Sequence, residues 1–251
     1  MLSFERQQQI LDILKEHKCV HVDFLCKKLF ASGATIRRDL SEMHEKGLIT
    51  RVRGGAALIE GTNQDAPLLV RSNENRAKKE YIAQLALRYV HDSATIFMDS
   101  SSTVTFLADK LEGFRDLSIV TNGIATMNSL NEYTTAKVFS SGGLIRNNSS
   151  FVGQIAMDSI YNFRADMFFF SCCGLSIEGG CTEADEDNAA IKKQMWKNAK
   201  KRILLCDSTK VNHDFFCKVC DIQDMDVILM DQPQDQSSIE DLIGTGIIVN
   251  K

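Results

Sequence analysis

The stretch SGATIRRDL, residues 32–40, carries a helix start, a buried face and two exposed arginines within one short segment. Ser32 is suited to cap a helix, because its hydroxyl can accept from an amide that the first turn leaves unpaired. Ile36, Leu40 and Met43 recur at helical spacing and pack inward, which places Ala34, Thr35, Arg37, Arg38 and Ser41 on or beside the exposed face. In a helix-turn-helix the start of the second helix enters the major groove, where Arg can bond bidentately to guanine and Thr can contact a base or a thymine methyl. Asp39 would repel phosphates, so it is expected to pair with a cation inside the domain.

Two amphipathic stretches precede this segment. Ile10, Ile13 and Leu14 form one apolar stripe, and Val22, Leu25, Cys26 and Leu29 form another. Residues 17–21 read as a short polar break between them, and residues 30–33 as the corner. Gly47 ends the third helix. Residues 48–57, LITRVRGGAA, then mix apolar and basic residues around Gly54 and Gly55, as a wing would. Arg51 and Arg53 on that wing are expected to reach phosphates or the minor groove. Arginine pairs are common on helix surfaces, but the order of helix, helix, short corner, capped basic helix and basic hairpin is far more restrictive.

Charge divides at residue 57. The chain has 29 Lys and Arg against 33 Asp and Glu, a net charge of −4. Residues 1–57 hold 10 basic and 7 acidic groups, leaving 19 and 26 in the rest, so a basic module precedes an acidic one. The acidic part repels DNA and favours binding through the first. No apolar run approaches the length needed to span a bilayer and no signal segment is evident, which predicts a cytoplasmic protein. The eight cysteines read as buried thiols of a reducing compartment. Neither Cys217 with Cys220 nor the group His17, Cys19, His21 and Cys26 matches a metal-site pattern, so no metal and no cofactor is expected.

Residues 58–75 are polar and punctuated, and read as a linker between domains at 1–57 and 76–251. A helix is predicted over 76–90, with Ile82, Leu85, Ala86 and Tyr89 on its apolar face and Lys78 and Lys79 opposite. Apolar runs then begin at 95, 118, 137, 166, 203, 226 and 247, alternating with helical stretches. This α/β rhythm predicts a mostly parallel open sheet covered by helices. Ligands of such sheets bind beyond the carboxyl ends of the strands. The residues there are polar: Asp99, Ser101, Ser102 and Thr103; Thr121 and Asn122; Gly142 and Gly143; Ser171 and Gly174; Asp207 and Lys210. Lys210 offers a cation to an anionic ligand, and Asp99 and Asp207 offer acceptors to sugar hydroxyls. Asp99, Glu183, Glu186 and Asp207 would also suit a sugar-phosphate isomerase, although the acidic run from Glu183 reads more simply as a solvated helix start.

The N-terminal part resembles the DeoR family of bacterial transcription regulators through Ser32, Thr35, Ile36, Arg37, Arg38, Asp39 and Leu40, followed by Gly47, Leu48, Arg51, Gly54, Gly55 and Ala56. The resemblance continues through Asp99, Thr103, Thr121, Asn122, Gly142, Gly143, Gly153, Asp166, Gly174, Asp207 and Lys210. It implies a winged helix-turn-helix followed by an effector domain similar to the ribose-5-phosphate isomerase-like fold. The implied function is that of a repressor that binds a double-stranded DNA operator as a homodimer or larger homo-oligomer and senses a phosphorylated sugar or related metabolite without catalysis. Ser101 and Ser171 stand where the family typically has glycine, which narrows the approach of a phosphate to the backbone while adding hydroxyl donors. A regulator with a degenerate pocket is the alternative that those two departures leave open.

Overall fold

The computed structural model describes residues 2–17, 19–46, 48–52, 54–57, 68–147, 149–231 and 248–249. The chain forms two compact units, Met1–Thr62 and Asn63–Lys251.

The first unit contains α1 (Ser3–His17), β1 (Cys19–His21), α2 (Val22–Leu29), α3 (Gly33–Glu45), β2 (Thr50–Val52) and β3 (Gly55–Ala57). Ile10, Leu14, Leu25, Ile36, Leu40 and Met43 are fully buried, as apolar stripes at helical spacing require. The segment expected as a polar break is instead a strand: Val20 points inward while Cys19 and His21 face out. Three residues are too few for their alternation to register as a pattern. Antiparallel pairing of β1 with β3 and of β3 with β2 makes a three-stranded sheet. Gly55 is required there, since a Cβ would lie 2.1 Å from the carbonyl oxygen of Val20. Gly47 and Arg53 lie outside the described residues.

The second unit begins with α4 (Leu68–Asn73) and α5 (Arg76–Ala86). The linker expected at 58–75 is therefore helical over its last part; residues 58–67 lie outside the described ones. Next come β4 (Thr95–Met98), α6 (Ser102–Ala108), β5 (Ser118–Thr121), α7 (Ile124–Tyr133), β6 (Lys137–Ser140), β7 (Leu144–Arg146), β8 (Ser150–Val152), α8 (Gln154–Tyr161) and β9 (Ala165–Phe170). The chain continues through β10 (Gly174–Ser176), β11 (Gly180–Glu183), α9 (Glu186–Lys197), β12 (Ala199–Cys206), β13 (Cys217–Cys220), β14 (Val227–Met230) and β15 (Ile248–Val249).

Seven strands form one sheet in the order β15-β14-β12-β9-β4-β5-β6, and every neighbouring pair is parallel. Its side chains alternate between two cores. Phe97, Phe168, Phe170 and Leu204 pack with Ala156, Ile160 and Met195 of α8 and α9. Ile96, Met98, Phe169, Ile203 and Leu205 pack with Ile82, Leu85 and Leu107 of α5 and α6. Burial on both faces explains why these strands read as continuous apolar runs. Two small antiparallel sheets, β7-β8 and β10-β11-β13, flank the main one and have no counterpart in the sequence reading. Because the main sheet is parallel, its carboxyl ends gather on one side.

Candidate DNA interface and effector site

On α3, Ser32 accepts from the Thr35 amide at 3.2 Å, and its hydroxyl also lies 2.9 Å from that of Thr35. Ala34, Arg37 and Arg38 are exposed, while Thr35 and Ser41 are half-buried. On the opposite face Asp39 is fully buried and accepts from Arg6 Nε, from Arg6 Nη2 at 3.1 Å and from Ser3 Oγ at 3.0 Å. Those bonds raise the Arg6 pKa from its ordinary value, against the effect of burial. The expectation for Asp39 thus finds its cation on α1. Arg51 is exposed on β2 and donates from Nη1 to Ser41 Oγ at 2.8 Å, and Ser41 in turn donates to the Arg37 carbonyl at 3.0 Å. The wing arginine is thereby held against the reading helix as well as facing solvent.

At the carboxyl end of the sheet a buried ionic frame joins three loops. Asp99, just beyond β4, accepts the Ser101 amide at 2.9 Å and the Ser171 amide at 3.0 Å. Lys192 of α9 lies 3.0 Å from Asp99 Oδ2, donates to Glu183 and also donates to the Ser171 carbonyl. Burial works against the charge of Lys192, but Asp99 and Glu183 outweigh it and lift its pKa well above the ordinary value. Glu183 is buried at the end of β11, so the acidic segment is not a solvated helix start as expected: its first carboxylate is part of this frame, and Asp185 caps α9 by accepting the Asn188 amide at 2.9 Å.

Two further cations flank the same loops. Lys210 donates to the Cys172 carbonyl at 2.7 Å and to Ser171 Oγ at 3.1 Å. Lys79 of α5, expected opposite the apolar face, is instead buried and donates to Ser102 Oγ at 3.1 Å and to the Arg71 carbonyl. Burial, with repulsion from Lys210 next, lowers the Lys79 pKa from 10.5 to about 8.

The remaining candidates occupy varied roles. Ser101 caps α6 by accepting the Val104 amide at 3.4 Å, and Thr103 is fully buried in that helix. Thr121 Oγ1 accepts the Gly123 amide at 3.0 Å, and Asn122 donates to the Phe151 carbonyl at 3.2 Å. Gly142 and Gly143 lie between β6 and β7 with φ of 60° and 111°. Asp207 accepts from Thr209 and, at 3.3 Å, from Asn75, which leaves it less open to a sugar hydroxyl than expected. Gly174 stands where a Cβ would lie 2.2 Å from the His213 carbonyl oxygen, so close backbone packing accounts for it. Asp166 is at the other end of the sheet, accepting from Thr95 and Lys200. All eight cysteines are free, and no cluster of three or more metal-ligating side chains occurs among the described residues.

Comparison with known proteins matches residues 6–62 to the DeoR-like helix-turn-helix domain and residues 74–232 to the DeoR C terminal sensor domain. The chain belongs to the DeoR family of transcription regulators. It is 32% identical over 232 residues to the HTH-type transcriptional regulator GolR of Listeria innocua, covering 92% of this chain and 91% of that protein. The putative aga operon transcriptional repressor of Escherichia coli O157:H7 is 30% identical, with 98% and 92% covered, and the L-fucose operon activator of Escherichia coli K12 is 30% identical, with 93% and 97% covered. Among solved structures, a D-ribose-5-phosphate isomerase in complex with phospho-erythronic acid aligns with a TM-score of 0.42 at 15% identity over 54% of each chain. A domain of a possible sugar-binding transcriptional regulator from Arthrobacter aurescens TC1 aligns with a TM-score of 0.41 at 11% identity, over 68% of this chain and 88% of that one. As a DeoR-family member the protein is a DNA-binding transcription regulator with a C-terminal sensor domain.

Proposed function

We propose that this DeoR-family protein is a cytoplasmic, homodimeric repressor whose operator affinity is set by a phosphorylated sugar or related metabolite. The proposed division is a reader at residues 1–57 and an effector domain at 76–251. Ala34, Thr35, Arg37 and Arg38 read base edges, while Arg51 on the wing adds phosphate contacts. The phosphate of the effector lies at the carboxyl end of the sheet between Lys79 and Lys210, with Ser101, Ser102 and Ser171 as hydroxyl partners. The observation that carries this reading is the two cations against one hydroxyl-rich set of loops, with Lys79 driven toward its neutral form by burial and by Lys210. Such an arrangement is relieved by a bound anion. Ligand binding would favour one arrangement of the paired readers, with a coupling of about 1–3 kcal/mol.

A sensor fits these residues better than a catalyst. Asp99 accepts from two amides and lies against Lys192, and Glu183 is ion-paired to the same lysine, so both carboxylates are engaged in holding the frame. A thermal-shift panel of phosphorylated sugars and polyols tests the effector reading: stabilisation by at least one member, lost in Lys210→Ala, is expected. No shift with any member, alongside intact binding to a duplex selected from a random library, would leave a regulator with a degenerate pocket.

A further inference from the structure

Among the described residues, buried polar side-chain atoms without a hydrogen-bond partner include Thr103 Oγ1, Asn122 Oδ1 and Ser150 Oγ. These three residues are at most 1% exposed. They belong to one junction. Thr103 is in the first turn of α6 after β4, and Asn122 follows β5, whose Thr121 is in register with Met98 of β4. A Cβ on Gly123 would lie 2.8 Å from Ser100 Cα, so the turn after β5 packs directly on the loop that opens α6. Ser150 is bridged to Gly123, and the Phe151 amide donates to the Asn122 carbonyl at 2.7 Å. The Asn122 side-chain amide donates to the Phe151 carbonyl, which orients the side chain and leaves Oδ1 as the open acceptor.

A buried polar group without a partner forfeits its hydration with nothing in return, so several at one junction call for partners from outside the chain. We propose that Thr103 Oγ1, Asn122 Oδ1 and Ser150 Oγ form a hydroxyl-reading subsite for the neutral polyol chain of a sugar or sugar-alcohol phosphate. This deepens the effector reading above, on which it rests, and separates the carbon chain from the phosphate at Lys79 and Lys210. Asn122 Oδ1 can only accept, so the ligand atom facing it must carry a proton. A carboxylate or phosphate oxygen there would set acceptor against acceptor. The two hydroxyls can donate or accept and so adjust to consecutive hydroxyl groups. The subsite therefore selects a hydroxylated chain and disfavours an acidic group at the same position.

The test is calorimetric titration of the full-length protein with inorganic phosphate and with glycerol 3-phosphate, ribitol 5-phosphate and sorbitol 6-phosphate. At least one polyol phosphate is expected to bind ten-fold or more tightly than inorganic phosphate. Ser150→Ala and Thr103→Val should each remove much of that advantage while leaving inorganic phosphate binding unchanged. Thermal melting confirms folding, and Ser150→Ala, which removes a single atom, serves if Thr103→Val does not fold. Variants that retain the full advantage would overturn the subsite and assign the junction to ordered water. A wild type that binds every probe no better than phosphate would also overturn it while leaving the phosphate reading intact. Failure to bind phosphate and polyol phosphates alike would sink the phosphate reading and this inference together.

Discussion

Replacing Lys79 with Met should make the unliganded protein more stable at neutral pH while destroying its response to phosphorylated sugars. The drop in the Lys79 pKa from 10.5 to about 8 corresponds to about 3 kcal/mol against the charged form when the pH is below both values. Methionine retains most of the buried aliphatic volume but abandons the bonds to Ser102 Oγ and the Arg71 carbonyl, at about 1 kcal/mol each. The net expectation is a gain of about 1 kcal/mol, or about 2–4 °C in melting temperature for a domain of this size. The sign with pH follows from proton binding. Between about 8 and 10.5 the unfolded chain holds the Lys79 proton more tightly than the folded one, so this group makes stability rise with pH across that window. Lys79→Met should flatten that rise. In the wild type a bound phosphate should raise the Lys79 pKa, so binding weakens above about pH 8 and takes up protons near it. Melting curves from pH 6 to 10, with and without a phosphorylated sugar, measure all of this. A variant that is several kcal/mol less stable, keeps the pH slope and still responds to the ligand would refute the electrostatic argument.

Other consequences follow from the reader. Arg38→Ala, or Arg37→Ala, should weaken specific operator binding by about 1–3 kcal/mol if the side chain makes a bidentate base contact, without altering any sugar-phosphate shift; gel shifts and melting scans on the same preparations check both. Asp39→Ala removes the buried carboxylate that accepts two bonds from Arg6 and one from Ser3, and should cost about 3–5 kcal/mol of reader stability in denaturant titration, far more than Ser32→Ala, for which loss of the cap costs about 1 kcal/mol.

The elements most legible in the sequence were those whose signal is local. Ser32 announces its helix because a cap needs only the next turn, and the runs beginning at 95, 166 and 203 announce strands because burial on both faces of a parallel sheet makes them largely apolar. The short strand β1 and the small sheet β10-β11-β13 left no comparable trace. Their residues are few; β1 pairs with β3, far along the chain, and β10 and β11 form a hairpin across residues 177–179 that β13 joins from a distance. The strand-end rule located the loops of the candidate site, yet it could not reveal Lys79, Lys192 or Ser150, which arrive from a helix before the sheet, a helix after β11 and a flanking hairpin.

Lys79 shows the physical reason. Lys79 lies three, four and seven residues before Ile82, Ala83 and Ala86, so helical spacing puts it on the buried stripe itself, and the opposite face, with Tyr81 and Gln84, is the exposed one. The segment that ends at Asn73 and the loop that opens α6 supply a carbonyl and a hydroxyl to the ammonium group, which closes over the first turn of that stripe. A charged residue kept in such a place at a cost to the unliganded fold is unexplained by folding alone. Under the proposed function an anionic effector would provide the compensation, and such a cation is hard to find from sequence, because a lysine on a buried stripe differs from one whose head reaches solvent only by what surrounds it in space.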